Sequence, residues 1–258
     1  MNTRALRDTR VITKRNLRRY VRLPQLLFFS SIQPVMFLLL FDYVFGGALG
    51  MSITVPGGKY IDYLLPGILV QMVMFGGVQT GIGLADDMSK GIIDRFRSLP
   101  MSRLAVIAGR TISDALRNLV VILIMIAVGY LVGFRFQNGF APAVAMVAIA
   151  VLFGFAISWI FALIGMSVKD PETAQLASFA FIFPLTFASS AFVAVQTMPR
   201  WLQAFVRNQP VSLVVNASRH LALGINEPGA VWKILLWSAA LLIVFMPLAL
   251  YRYKKSAA

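Results

Sequence analysis

The 258-residue chain has no cysteine, one histidine and ten acidic residues, against 24 lysines and arginines. Without thiols it forms neither disulfides nor thiolate metal centres. His220 is the sole histidine, so no His-Glu pair stands at zinc spacing. A phosphate-cradling loop needs a glycine five residues before Gly-Lys and a hydroxyl residue after it. At Gly58-Lys59 those places hold Ile53 and Tyr60. The chain is therefore expected to be no enzyme: it binds no cofactor and hydrolyses no ATP itself.

Charge is scarce overall. Charged residues make up 13% of the chain and apolar types 59%, with a mean hydropathy of +0.77. Soluble domains run at about 25% charged and about 45–50% apolar. Apolar segments at about 26–48, 61–85, 112–134, 143–166, 174–194 and 232–252 each approach or exceed the roughly 20 residues that cross hydrocarbon. The expected fold is an all-α integral membrane protein, one domain over 1–258 with six transmembrane helices. The third helix is expected to begin inside near Leu104, with Arg110, Asp114 and Arg117 on one face for local ion pairs. Gly46/Gly50, Gly77/Gly81 and Gly129/Gly133 have the spacing that lets helix backbones approach, or are simply loop and packing glycines.

The net charge of +14 does not point to nucleic acid, because the basic residues crowd the ends and loops of apolar segments. Residues 4–22 carry eight of them against Asp8 alone, and Arg7, Arg10, Lys14 and Arg18 fall on one helical face. That segment reads as an interfacial amphipathic helix on anionic lipid, not as a cleavable signal. With the N-terminus inside, only Lys59, Arg135, Arg200, Arg207, Arg219 and Lys233 lie outside. The positive-inside rule therefore places both termini in the cytoplasm.

Two connections look like more than loops. Lys90 to Pro100 alternates charge with bulk through Asp94, Arg95, Phe96 and Arg97. It reads as a short surface helix stopped at Leu99 by the following proline, fit for a partner protein. Asp86 and Asp87 close the span before it and help to shape that loop. Residues 195–224 hold two short helices broken at Asn208-Gln209-Pro210, too short to span and suited to a re-entrant hairpin. On the second, Ser212, Asn216, Arg219 and His220 share a face expected to be wet, while Leu213, Val214, Ala217 and Leu221 form the packed face. Asp42 is read as the one acid inside an apolar segment away from the inner face, which makes it a candidate for a cargo path or gate.

Several pieces in order resemble the membrane subunit of type-2 ABC exporters, within them drug-resistance permeases of the daunorubicin type. They are Tyr60-Ile61-Asp62-Tyr63-Leu64-Leu65-Pro66-Gly67, Gly91 through Arg103, Gly109-Arg110, Gly133-Phe134-Arg135 and Phe205 through Ser212. The resemblance implies a permease paired with a second copy or a paralogue and with two cytoplasmic ATPase subunits that use ATP and Mg. In it 4–22 is the connecting helix, 87–100 the coupling helix and 195–224 the extracellular re-entrant hairpin. Asp87, Lys90, Gly91, Asp94, Arg95, Phe96, Arg97, Leu99 and Pro100 are then the ATPase-coupling residues, and Asp42, Asn216, Arg219 and His220 those of the path or gate. Arg95 and Arg97 would meet acidic groups, with Phe96 or Leu99 as apolar anchor. The expected function is export of a hydrophobic drug-like molecule or lipid across a bacterial plasma membrane. Apolar faces carrying Phe28, Phe29, Met72, Met74, Phe75, Phe179, Phe181 and Phe183 favour that cargo. A polysaccharide or glycolipid exporter is the alternative, and an ion-coupled secondary transporter the more distant one.

Overall fold

Ten helices follow one another in the computed structural model, which describes residues 3–47, 59–97, 102–227 and 229–255. They are α1 (Thr3–Arg22), α2 (Pro24–Leu40, continued by a π turn at Phe41–Phe45), α3 (Tyr60–Ser89), α4 (Ile92–Arg97) and α5 (Arg103–Val132). Then come α6 (Phe140–Gly165), α7 (Pro171–Phe187), α8 (Arg200–Asn208), α9 (Pro210–Leu223) and α10 (Ala230–Lys255). Four are long and apolar enough to cross a membrane: α3, α5 from Leu104, α6 and α10. In α2 the apolar stretch is shorter, Ser30–Phe45.

α3 is the axis of the bundle. It is buried continuously from Tyr60 to Met74, between α6 and α7 with α5 and α9 alongside. Small residues make that possible: a Cβ on Gly165 of α6 would sit 2.1 Å from the Gly81 carbonyl oxygen, and one on Gly81 2.5 Å from the Phe161 carbonyl oxygen. Gly77 likewise meets the Phe161 ring. The Gly77/Gly81 pair is thus a true helix-crossing site. Gly133 is not: at φ 119° it is the left-handed cap of α5, a conformation only glycine adopts freely. Gly50 lies outside the described residues.

As expected, α5 starts beside Leu104: it is a single helix of 30 residues, about 45 Å long, longer than a hydrocarbon layer is thick. One element differs from expectation: α7 ends at Phe187 instead of running to 194, and its 17 residues reach only about 25 Å. Pro184 lies within its last turn, the chain leaves helical geometry at Ala188, and the segment that follows bonds to α9 through the Ser190 N–H and the Ser212 hydroxyl. At the other end Asp170 caps α7, accepting from the Thr173 backbone N–H at 2.8 Å, with Pro171 at the first helical position.

α1 packs along the first half of α5. Ile12 is buried against Gly109, Thr13 donates to the Gly109 carbonyl at 3.2 Å and Asn16 to Ser113 at 3.2 Å. Asp8, the lone acid of the segment, accepts the Ser102 backbone N–H at the start of α5. A small second core of Leu84, Ile93, Ile107, Trp159 and Tyr253 closes this end.

Candidate functional site

A cavity of about 300 Å³ opens between α2, α3, α5 and α7. One wall is aromatic: Phe75 meets Phe179 and Phe183 edge-on at 5.9 Å each, and those two lie 5.4 Å apart. Phe37 and Met72 extend it. The other wall is polar, with Gln33, Gln71, Gln79, Arg117 and Asn118. Its geometry depends on Gly76, where a Cβ would fall 2.2 Å from Asn118 Oδ1. The bare glycine leaves its carbonyl to accept from Arg117 Nη2 at 3.1 Å. Among the described residues, Arg117 is the only ionisable side chain lining the cavity. A larger groove along α5 and α6 is nearly all apolar, lined by Leu119, Leu123, Phe140 and Val144. With few groups to orient a ligand, it suits lipid chains better.

Four of the residues named from the apolar pattern, Met72, Phe75, Phe179 and Phe183, meet in this cavity. Phe181 instead packs on Phe161, Met74 is in the core and Phe28 is exposed. The Phe29 side chain lies outside the described residues. The polar wall was missed, although uncharged polar residues inside apolar segments were its signal.

At the end where α1 meets α5, a polar junction joins α1, α3 and α5. Asp114, 3% exposed, accepts from Tyr20 at 2.7 Å and from Thr80 at 2.7 Å, with Arg110 Nε at 3.7 Å. Arg110 Nη1 pairs with Asp87 at 3.0 Å and donates to the Gly83 carbonyl at 3.2 Å. Arg110 thus makes one local ion pair within α5, to Asp114, and one between helices, to Asp87 of α3. Burial, and then the Asp114 charge, push the Tyr20 phenol up to about 12, so it stays a donor across physiological pH.

Of the residues assigned to coupling, Asp87 faces inward to Arg110, while Lys90 pairs with Asp86 at 2.7 Å in the open. Gly91, at φ 66°, turns the chain from α3 into α4. Arg95 is exposed. Phe96 is half-buried, with the Arg15 guanidinium of α1 4.8 Å above its ring. The side chains of Asp94 and Arg97, and Leu99 and Pro100 entirely, lie outside the described residues.

The path residues are not gathered at one place. Arg219 is buried on α9; it donates to the carbonyls of Tyr63 (3.0 Å), Ser190 (2.8 Å) and Ala191 (2.9 Å). Ser212 is also buried and accepts the Ser190 N–H at 3.1 Å, while Asn216 accepts from the Ser190 hydroxyl at 3.0 Å. The face expected to be wet is thus largely packed, because the 188–192 segment offers carbonyls that need donors. His220 Nδ1 lies 2.6 Å from the Ile225 carbonyl; a carbonyl only accepts, so that nitrogen carries the proton. Asp42 sits apart, half-buried in the π turn, where its neighbour Phe41 stacks on Phe192 at 5.0 Å. A second acid, Asp62, escaped notice: buried in the first turn of α3, it accepts the Arg135 N–H at 3.4 Å.

The ABC-2 type transporter family matches residues 7–223. The daunorubicin resistance ABC transporter permease protein DrrB1 of Streptomyces coeruleorubidus is 39% identical over 227 residues, 88% of this chain and 79% of that protein. The probable doxorubicin resistance ABC transporter permease protein DrrC of Mycobacterium tuberculosis is 27% identical over 244 residues, 94% of this chain and 87% of that one. A putative transport permease, ycf38, of Porphyra purpurea is 25% identical over 204 residues, 78% of this chain and 68% of its own.

Proposed function

The chain belongs to the ABC-2 type transporter family, and on that footing we propose that it is the permease subunit of an ATP-driven exporter of hydrophobic, drug-like molecules. The observation that carries this reading is the cavity between α2, α3, α5 and α7. Its aromatic wall and convergent polar groups are the features by which a planar amphipathic molecule is held. The drug resistance for which DrrB1 and DrrC are named points to the same cargo class.

In this reading α2, α3, α5, α6, α7 and α10 are the six spans of a bacterial plasma-membrane protein, with both termini cytoplasmic. α8 and α9 form the outer re-entrant hairpin. α4 docks on a cytoplasmic ATPase, which binds ATP and Mg, and a second permease faces the open side of the cavity. Nucleotide-driven closure of the ATPases would move α4, and the Asp87–Arg110–Asp114–Tyr20 junction would pass that motion to α1, α3 and α5 as a rigid body. The α9 residues would act at the exit by holding the hairpin, while Asp42 would border the path or gate.

The test is co-purification of an ATPase subunit with the tagged chain from its native membrane, joined to uptake of a fluorescent aromatic drug into inside-out vesicles. Uptake that requires hydrolysable ATP is expected. Uptake driven instead by an ion gradient, with no ATPase attached, overturns the proposal.

A further inference from the structure

The cavity's two walls differ in chemistry, and the difference bears on which end of a cargo goes where. Arg117 uses Nη2 on the Gly76 carbonyl at 3.1 Å and on Asn118 Oδ1 at 3.4 Å. Among the described residues, its Nε and Nη1 have no hydrogen-bond partner and no carboxylate lies within ion-pair distance of it. A guanidinium carries five N–H donors and no acceptor, so most of its donors remain unused beside the cavity. Its back rests over the Tyr20 ring at 5.7 Å.

The negative groups nearby are already engaged. Asp114 receives Tyr20, Thr80 and the Arg110 charge, and Asp87 is paired with Arg110. Neither acid lines the cavity. The electrostatic character facing an occupant is therefore that of Arg117 alone, next to the neutral amides of Gln33, Gln71 and Gln79. Opposite stand Phe75, Phe179 and Phe183, whose edge-on arrangement offers ring surface.

We propose that Arg117 is a specificity-determining residue: it reads an acceptor oxygen, best an anionic one, on the edge of a planar aromatic cargo stacked on the phenylalanine wall, and disfavours an ammonium there. The inference rests on the reading of this cavity as the cargo site. A hydrogen bond from a guanidinium to an ionised oxygen is shorter and about twice as strong as a neutral one, whereas an ammonium in the same place meets like charge and no acceptor from Arg117. A lipid chain would leave Arg117 and the glutamines unmatched, which makes it the poorer occupant.

The test uses the full-length permease in nanodiscs of zwitterionic lipid and two fluorescent probes on one scaffold, anthracene-9-carboxylate and 9-(aminomethyl)anthracene, titrated at neutral pH. The wild type is expected to bind the carboxylate at least fivefold more tightly than the amine. Arg117→Gln should reduce that ratio below twofold, while Arg117→Lys, which keeps the charge and loses the fork, should hold it above twofold. A wild-type ratio under fivefold overturns the proposal, and that measurement needs no variant to fold. A ratio that survives in Arg117→Gln overturns it too. Transport is read separately. Loss of ATP-driven uptake with the preference intact sinks the exporter reading and spares this one, and uptake without the preference does the reverse.

Discussion

The Arg219 guanidinium lies 3.4 Å from the centroid of the Tyr63 ring while its Nε donates to the carbonyl of that same residue at 3.0 Å. One side chain on α9 thus fixes both the backbone and the ring of α3, and its two Nη groups bind the 190–191 turn. Tyr63 returns a bond from its hydroxyl to the Ser190 carbonyl at 3.1 Å. This reciprocal clasp joins the hairpin to the central helix.

Removing the clasp should be costly. Arg219→Ala takes a donor from three buried carbonyls, of which Ser190 keeps a second, the Tyr63 hydroxyl; at about 1–3 kcal/mol for each of the other two, a loss of at least about 2 kcal/mol is expected. Arg219→Lys should recover little, since an ammonium cannot lie flat on the ring and fork to two carbonyls. Thermal melting in detergent checks both. A melting temperature unchanged in Arg219→Ala would mean the hairpin is held by its apolar contacts alone.

The crossing of α3 and α6 gives a second test. Gly165→Ala forces a Cβ onto the Gly81 carbonyl at 2.1 Å, and separating two packed helices costs about 1–3 kcal/mol. Gly47→Ala, where nothing lies within 4 Å, is the control and should melt like the wild type. Equal melting of all three proteins would show that the helices separate freely at that point.

Several features of this fold were plain in the sequence because they depend on local rules. Pro171 after Asp170, Gly224 after α9 and the basic face of α1 each announce an element boundary or face without tertiary help. Others could not be read because a distant segment decides them. Arg219 looked like a wet-face residue, since nothing near it in sequence says that 188–192 presents carbonyls to it. Gly133 matched a packing spacing, yet the chain needs it as a left-handed cap. Gln33, Gln71 and Asn118 come from three helices, so their convergence exists only once α2, α3 and α5 are assembled. Asp62 sat at the edge of an apolar run and was passed over for Asp42, although burial makes it the more constrained of the two.

Orientation is testable because the chain has no cysteine of its own. A cysteine at Asn138, exposed between α5 and α6, should react with an impermeant maleimide in intact cells. One at Ser89, exposed at the end of α3, should react only after permeabilisation. The opposite pattern would reverse the topology drawn from the distribution of lysine and arginine.

Asp170 links the start of α7 to pH. Two hydrogen bonds from Thr173, through its backbone N–H and its hydroxyl, hold the Asp170 carboxyl below its usual range. A depressed folded-state value means that the stabilisation is complete above the ordinary carboxylate pKa of about 3.9 and fades as pH falls through the lower folded value. Between pH 6 and pH 3 the wild type should lose more melting temperature than Asp170→Asn, whose amide caps the helix without titrating. Asp170→Ala should be less stable than either at pH 6. Parallel melting curves for the wild type and Asp170→Asn over that interval would remove the cap from the account.

The junction of α1, α3 and α5 provides the last test, since among the described residues Tyr20 is the one α1 side chain bonded to Asp114. The Asp114 carboxylate is buried and depends on its donors; deleting the Tyr20 hydroxyl removes a 2.7 Å bond and leaves the charge held by Thr80 and Arg110 alone. Tyr20→Phe keeps the ring under the Arg117 guanidinium, so only the hydrogen bond is lost, at about 1.5–3 kcal/mol for a charged acceptor. That loss falls on the contact between α1 and α5, not on the core around α3. α1 is rich in exposed trypsin sites, Lys14, Arg15 and Arg18 among them, and a helix held less tightly opens more often to a protease. Trypsin added to inside-out vesicles should therefore cut Tyr20→Phe within α1 at least tenfold faster than the wild type, since 1.4 kcal/mol in a local opening equilibrium corresponds to a factor of ten. Thr80→Val removes the opposite donor from α3 and should lower the melting temperature of the bundle while changing the α1 cutting rate less. Equal cutting of Tyr20→Phe and wild type would show that Ile12, Thr13 and Asn16 hold α1 by themselves, and that motion reaching Asp114 is not passed to α1 through Tyr20.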